Sequence, residues 1–395
     1  MSTKLFRNLR LVQSDFFGVS ASMAMATENG VITWIGPQQK IPKQKKFKKE
    51  IDLKNKIIFP SFIECHTHSV FAGSRADEFE RRNQGVSYLE IAARGGGILS
   101  TMKKTRLASS DQLLKRSQNY VDYFLKQGVS TLEIKSGYAL DLKNEIKMLQ
   151  VIKALKGPRI ISTFLGAHAL PPEFQKAQDY LHFLVEKVLP LIKKKKLADR
   201  VDIFVEKKFF ESPQASTYLK AAQDLGFQLT VHANQLSNSG GVDLALELKA
   251  RSADHVIHLN QKQIEKLSKS KTVAVLLPAA DLYMKCAYPP ARQLIDAGTT
   301  VALATDFNPG SCPTQDLSLV GVLARLEMKM TLPEVFKAYT VGAAQALGIE
   351  QEEGDLAVGK KANFICTDAE LTDFFYSVGA MPKHQLFIEG KRITI

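Results

Sequence analysis

The sequence predicts an α/β protein, a closed (β/α)8 TIM-like barrel carrying a small β-sandwich domain built from both chain ends. Three observations predict it. Short β-branched or apolar runs recur from Ile57 onward with longer amphipathic stretches between them, the mark of repeated βα units around a parallel sheet. There are eight such runs, the number a closed barrel needs. The two ends of the chain break this rhythm with short strand-like segments and Gly-rich turns.

In chain order the runs are IIFPSF from Ile57, VSTLEIK from Val129, RIISTFL from Arg159, VDIFV from Val201, FQLTVH from Phe227, SADHV from Ser252, VAVLL from Val273 and TVALAT from Thr300. Between them lie helical patterns. In SDQLLKRSQNYVDYFLKQG, Leu113, Leu114, Tyr120, Val121 and Phe124 fall on one face and Gly128 supplies the stop. Such helices cover the outside of a sheet. The terminal segments GVITWIGP, GDLAVGKKANFICTD and QLFIEGKRITI read as strands with tight turns, so residues 1–56 and 355–395 are expected to form one composite small domain and residues 57–354 the barrel. No solenoid period or low-complexity linker interrupts this plan.

Bulk properties narrow the function classes. A chain of 395 residues with 45% hydrophobic content can bury a large core plus an appendage. Arg7, Arg10 and Asp15 interrupt the amino-terminal stretch, and no later run is apolar enough to span a bilayer, so a soluble, cytoplasmic protein without a membrane partner is expected. Cys65, Cys286, Cys312 and Cys366 lie far apart with no CxxC pair, which signals neither a disulfide framework nor a thiolate metal site. The formal charge of +13 is concentrated in lysine runs such as Lys40 to Lys49 and Lys193 to Lys196, without interleaved aromatics. Solvated loops and helix faces explain such runs, and no nucleic-acid partner is expected.

In a barrel of this kind, functional groups sit where strands give way to loops. The first strand runs into His66-Thr67-His68, the second into Lys135-Ser136-Gly137-Tyr138 and the third into Gly166-Ala167-His168. The fifth ends on His232, the sixth on Asp254-His255 and the eighth on Asp306. Alternation along an extended strand turns His66 and His68 to the same side, as two ligands of one ion require. His-x-His alone reads equally well as two unrelated histidines. Adding His232 and Asp306 gives three neutral nitrogens and one carboxylate, which suit a borderline divalent ion and leave positions open for water. Such an ion lowers the pKa of its water and supplies a hydroxide nucleophile. Asp306 is then expected to take the proton and pass it to a leaving nitrogen, and His255 to polarise the carbonyl under attack.

These strand ends resemble the amidohydrolase superfamily. The stretches CHTHSVFAGSRADEFERR, GVSYLEIAARGGGILSTMKKTR, TLEIKSGYALD, STFLGAHALPPEF, SADHV and ATDFNPGSCPT look, more narrowly, like the imidazolonepropionase family over nearly the whole chain. The resemblance implies hydrolysis of a ring C–N bond in histidine breakdown, with 4-imidazolone-5-propanoate opened to N-formimidoyl-L-glutamate. The alternative is another cyclic amide, ureide or amidine. It implies zinc or, failing that, iron on His66, His68, His232 and Asp306, a substrate pocket including Arg75, Tyr138, His168, Gln235, Asn308, Gly310 and Ser311, and a homodimer. Arg75 suits a propanoate, because a planar guanidinium binds carboxylate in two places. Tyr138 and His168 can donate to the carboxylate or the ring, while Asn308 and the Gly310-Ser311 backbone are expected at the edge of the formimino group. The triple glycine Gly95-Gly96-Gly97 lacks the Lys-Ser/Thr of a phosphate cradle and reads as a loop over the site.

Two departures from the family pattern stand out. Where many members show HADE this chain has His232-Ala233-Asn234-Gln235, so a neutral amide replaces a glutamate. Proton transfer is then expected to rest on Asp306, and the deaminase branch, which usually places a glutamate shuttle here, is disfavoured. Binuclear relatives carry a carbamylated lysine on the fourth strand; here that strand ends Val205-Glu206-Lys207-Lys208, and Lys207 is expected to face solvent, leaving one metal.

Overall fold

A computed structural model describes residues 2–42, 46–86, 90 and 95–394. Parts of the lysine run at 40–49 and of the stretch GVSYLEIAARGGG lie outside these residues. The chain opens with β1 (Thr3–Val12), β2 (Val19–Glu28), β3 (Val31–Pro37) and β4 (Lys49–Pro60). It then runs through β5 (Phe62–Glu64), β6 (Val129–Lys135), β7 (Arg159–Ala167) and β8 (Arg200–Val205). There follow β9 (Gln228–Ala233), β10 (Ser252–His255), β11 (Val273–Leu276) and β12 (Val301–Leu303). It closes with β13 (Phe364–Thr367), β14 (His384–Ile388) and β15 (Lys391–Arg392).

Strands β5 to β12 form one eight-stranded sheet in which chain order is spatial order and every neighbour is parallel. Every residue of β6 and β8 is buried, because helices cover the outside while the inside is filled by side chains. The helix Ser110–Lys126 shows how the cover is made. Ser109 and Gln112 form a reciprocal capping box at its start, Leu113, Val121 and Phe124 are buried, and Gly128, at φ +90°, turns the chain into β6. The ring closes between β12 and β5 just beyond the strands. Thr67 bridges Phe307 in parallel, Asp306 N–H donates to the His66 carbonyl (3.1 Å), and His68 N–H donates to the Phe307 carbonyl (2.9 Å).

Both chain ends meet in a seven-stranded sheet ordered β15-β14-β13-β4-β1-β2-β3. It is mixed: β1 and β4 are parallel and the other neighbours antiparallel. The division expected at residue 57 falls inside β4, since Ile57 to Pro60 pair with β13; the barrel begins at Phe62. Pro60-Ser61 interrupts the run there, but residue types do not say which sheet each half joins. Where the two sheets meet, Phe59, Phe62, Phe336, Phe374 and Phe375 pack edge and face, with Phe59–Phe336 and Phe59–Phe374 centroids both 5.3 Å apart. Buried aromatics of this kind stabilise by roughly 1.5–3 kcal/mol each through lost apolar surface. All four cysteines are free thiols. Among the described residues no helix is long and apolar enough to cross a membrane.

Candidate metal centre and substrate pocket

The seam of the barrel brings the strand-end histidines together. His66 and His68 follow β5, His232 lies on β9, His255 ends β10 and Asp306 follows β12; all are buried. The His66 ring lies 4.6 Å from that of His232 and 5.4 Å from that of His68, centroid to centroid. Asp306 Oδ1 is 3.5 Å from His66 Nε2 and 3.4 Å from His68 Nε2. Ligand atoms of His66, His68 and Asp306 lie within 4.8 Å of one another, and so do those of His66, His232 and His255. The four expected ligands thus fall in two overlapping triads that share His66, with His255 as the third member of the second.

The donor set fits a borderline divalent ion. His66 Nδ1 is engaged by Asp254 Oδ2 at 2.6 Å, while its Nε2 is buried without a hydrogen-bond partner among the described residues. His232 Nδ1 lies 2.9 Å from Asp202 Oδ2, close but not aligned as a hydrogen bond, which leaves Nε2 for an ion. A carboxylate behind each ligating imidazole is a common way to fix ring orientation at a metal. Burial holds His66, His68 and His168 well below the ordinary histidine range, so they are neutral bases at physiological pH. In His232 burial is outweighed by Asp202, which raises it. Burial alone would raise the Asp306 carboxyl, yet the His66 imidazole 3.5 Å away and the nearby His255 and His232 hold it below the usual aspartate value. Burial also brings His255 down to about 4, so it meets a ligand as a neutral imidazole.

Backbone conformation aims these groups. His255 (φ +76°), Val256 (φ +47°) and Asp306 (φ +54°) are left-handed, as is Asn234 (φ +54°) just after β9. A β-branched valine rarely adopts this region, and each such residue costs on the order of 1 kcal/mol. The alternation of the strand is broken where a side chain must be turned toward the mouth of the barrel.

The cleft above, about 520 Å³ counting its open mouth, is lined by His68, Arg75, Tyr138, His168, Gln235, His255, Asp306, Asn308 and Ser311, together with Ile98, Phe204, Leu236 and Met284. Arg75, 6% exposed, is held by Glu78, whose Oε2 accepts from its Nε (2.8 Å) while Oε1 accepts the Gly97 N–H (3.0 Å). His168 stacks on His68 at 5.3 Å and 19°, with Nδ1 3.1 Å from the Gly137 carbonyl. Gly310 lines the guanidinium: a Cβ there would meet Arg75 Nη1 at 2.0 Å. The amide donors expected to meet substrate from the 308–311 loop are spent inside it. Asn308 Oδ1 accepts the N–H groups of Gly310 and Ser311, both at 2.8 Å, and its Nδ2 donates to the Asp306 carbonyl and Ser311 Oγ. Lys207 is exposed. Sequence reasoning missed Asp202 and Glu78, and took Asp254 only as the neighbour of His255. The available signal was a charged residue inside an otherwise apolar strand, VDIFV for Asp202.

Comparison with known proteins accords with this geometry. An amidohydrolase family profile matches residues 57–393. Imidazolonepropionase of Bdellovibrio bacteriovorus is 54% identical over 387 residues, covering 97% of this chain and 92% of the relative. Imidazolonepropionase of Acinetobacter baumannii is 42% identical, covering 93% of each. Among solved structures, a zinc-bound adenosine deaminase from Xanthomonas campestris superposes with TM-score 0.74 at 16% identity, covering 99% of this chain and 92% of that one. A triazine hydrolase variant gives the same TM-score at 15% identity, covering 99% and 94%. Those two share the fold. The chain belongs to the amidohydrolase family and, within it, to the imidazolonepropionases.

Proposed function

We propose that this chain hydrolyses the ring C–N bond of 4-imidazolone-5-propanoate, giving N-formimidoyl-L-glutamate in histidine degradation. The observation that carries the reading is the convergence, in one cleft, of a metal-competent histidine and aspartate set with a buried arginine. His66, His68, His232 and Asp306 would hold one ion, zinc in preference to iron for three nitrogens and a carboxylate. Bound there, a divalent ion makes water acidic enough to be a nucleophile near neutral pH and polarises the carbonyl.

The chain's own residues do the rest. Asp306 accepts the proton of the attacking water and delivers it to the ring nitrogen as the C–N bond breaks, so that one water is consumed and one carboxylate formed. His255, neutral, donates its N–H to the oxygen of the carbonyl under attack as negative charge develops there. Arg75 binds the propanoate carboxylate. Tyr138, His168 and Gln235 face the ring, and the amide of Gln235 can both donate to and accept from a cyclic amide. Asn308 and Gly310 shape the loop that seats Arg75, while Ser311 lines the cleft beside them. The exposed Lys207 accords with a single ion. The reading includes action in the cytoplasm as a homodimer, with a small domain of residues 1–56 and 355–395 and a barrel unit of residues 57–354 whose opening residues, Ile57 to Pro60, pair into the small domain's sheet.

The test is loss of imidazolone propanoate absorbance with purified protein, before and after chelation and after zinc is restored. Metal-dependent formation of N-formimidoyl-L-glutamate is expected. Absence of turnover by the metal-loaded protein would refute the substrate, and turnover of carboxylate-free cyclic amides at equal kcat/KM would remove Arg75 from its role.

A further inference from the structure

We infer that Lys135 is a positioning residue for the metal ligands, an ammonium hub that holds in register the three carboxylates against which the ligand-bearing segments are set. The inference rests on the reading of His66, His68 and His232 as ligands. Lys135 ends β6 inside the barrel and is 1% exposed, an uncommon place for a lysine. Its Nζ lies 2.9 Å from Glu133 Oε1, 3.1 Å from Asp202 Oδ2 and 3.8 Å from Asp254 Oδ2. These carboxylates lead to the two histidine-bearing segments, Asp202 to the end of β9 and both Asp254 and Glu133 to residues 66–68. Asp202 faces His232 Nδ1 at 2.9 Å, and Asp254 faces His66 Nδ1 at 2.6 Å. Glu133 Oε2 accepts the N–H of Thr67, between His66 and His68, at 3.2 Å. The Lys135 backbone N–H donates to the Thr67 carbonyl at 2.9 Å.

Three buried carboxylates around one point repel each other, and a buried charge is tolerated only when paired. The compact ammonium hydrogen-bonds Glu133 and stands within ion-pair distance of the other two, an arrangement that the planar fork of a guanidinium does not reproduce. With the buried Arg200 also acting on the same three carboxylates, two positive and three negative charges still sum to a net negative one, beneath a site for a cation. Coulombic attraction and positioning therefore predict opposite signs. If charge alone mattered, removing the ammonium would tighten cation binding. If position matters, removing it loosens the rings and weakens binding, and outer-shell partners of metal ligands typically contribute about 10- to 100-fold in affinity.

The experiment measures zinc affinity by chelator competition and zinc per chain by elemental analysis, with circular dichroism as the check on fold. Lys135→Met is expected to bind zinc about 10- to 100-fold more weakly than the unmodified chain. Lys135→Arg keeps the charge but not its point geometry, and about 10-fold weaker binding is expected. Unchanged or tighter binding by Lys135→Met overturns the inference, as does unchanged binding by Lys135→Arg, which alone decides should Lys135→Met not fold. His66→Ala and His232→Ala separate the two levels. If they lose zinc and the Lys135 variants do not, only the hub role falls; if they retain it, the ligand reading falls and the hub role with it.

Discussion

Substituting Gly310 by alanine tests the carboxylate clamp without touching the charge that performs it. Gly310 is not in the left-handed region, so its backbone accepts a side chain, and the obstacle is the Arg75 guanidinium. An added Cβ would stand 2.0 Å from Nη1, 2.1 Å from Cζ and 2.6 Å from Nη2. Carbon and nitrogen settle at about 3.5 Å, so the guanidinium must retreat by roughly 1.5 Å. It cannot do so freely, because Glu78 holds Nε at 2.8 Å. Charge-assisted bonds to a carboxylate contribute about 1.5–3 kcal/mol, and at about 1.4 kcal/mol per decade their loss raises KM about 10- to 150-fold. Steady-state hydrolysis of imidazolone propanoate should show that rise with kcat changed far less. Arg75→Ala should raise KM comparably, and the double variant should be no worse than Arg75→Ala alone, since both remove one interaction. A KM within twofold of the unmodified value for Gly310→Ala would refute the clamp, as would additive losses in the double variant.

Other perturbations address the remaining groups. Asp306→Asn removes the group proposed to move the proton and should cost more than about 10³-fold in kcat with the barrel intact by circular dichroism; full residual activity would sink the mechanism. His255→Ala should lower kcat about 100- to 1000-fold through loss of a donor to developing charge, with KM little changed; an effect on KM alone would make His255 a binding group. Burial raises the Glu64 carboxyl to about 8, so the folded chain holds this proton more tightly than the unfolded one. Its contribution to stability is complete below about pH 4.5 and is lost as pH rises through about 8. Urea midpoints at pH 5 and pH 8.5 should therefore differ less for Glu64→Gln than for the unmodified chain, and an equal pH dependence would contradict the shift. Burial likewise pushes the Cys366 thiol up to about 11, while Cys65 and Cys312 lie well above the usual range. Iodoacetamide should spare these three in the native state, and their rapid alkylation, read by peptide mass spectrometry, would contradict that burial.

Where the sequence was legible, one chemical signal had one structural meaning. Val129 to Lys135 carries β-branched or apolar Val129, Thr131, Leu132 and Ile134 after a glycine, and it forms β6 residue for residue. His66 and His68 were legible because a period of two has a fixed consequence on an extended strand. Illegible features depended on partners distant in sequence. The run from Ile57 is broken at Pro60-Ser61, where the chain leaves one sheet for another, but such a break does not say which sheet either half joins. Asp202 has no spacing partner, and only the closed ring brings it from β8 to His232 on β9. Asn308 resembles a substrate donor in sequence, but the turn at 308–311 directs its amide inward to its own backbone. Such local satisfaction is decided by dihedral angles that residue types only bias.

The placement of β4 also bears on how the chain is made. One flank of this strand is satisfied early, by β1, but Ile57 to Pro60 find their other neighbour only in β13, at Phe364 to Thr367. During synthesis that flank stays an open edge until β13 has emerged, since even the aromatic knot against Phe59 needs Phe336 and Phe374. Contacts so remote in sequence form late and slowly. The strand at Phe364–Thr367 thus acts as a seal on one made long before it, and a nascent chain that stops short of Phe364 would display an unsealed, sticky edge, distinguishing it from one in which the seal has formed.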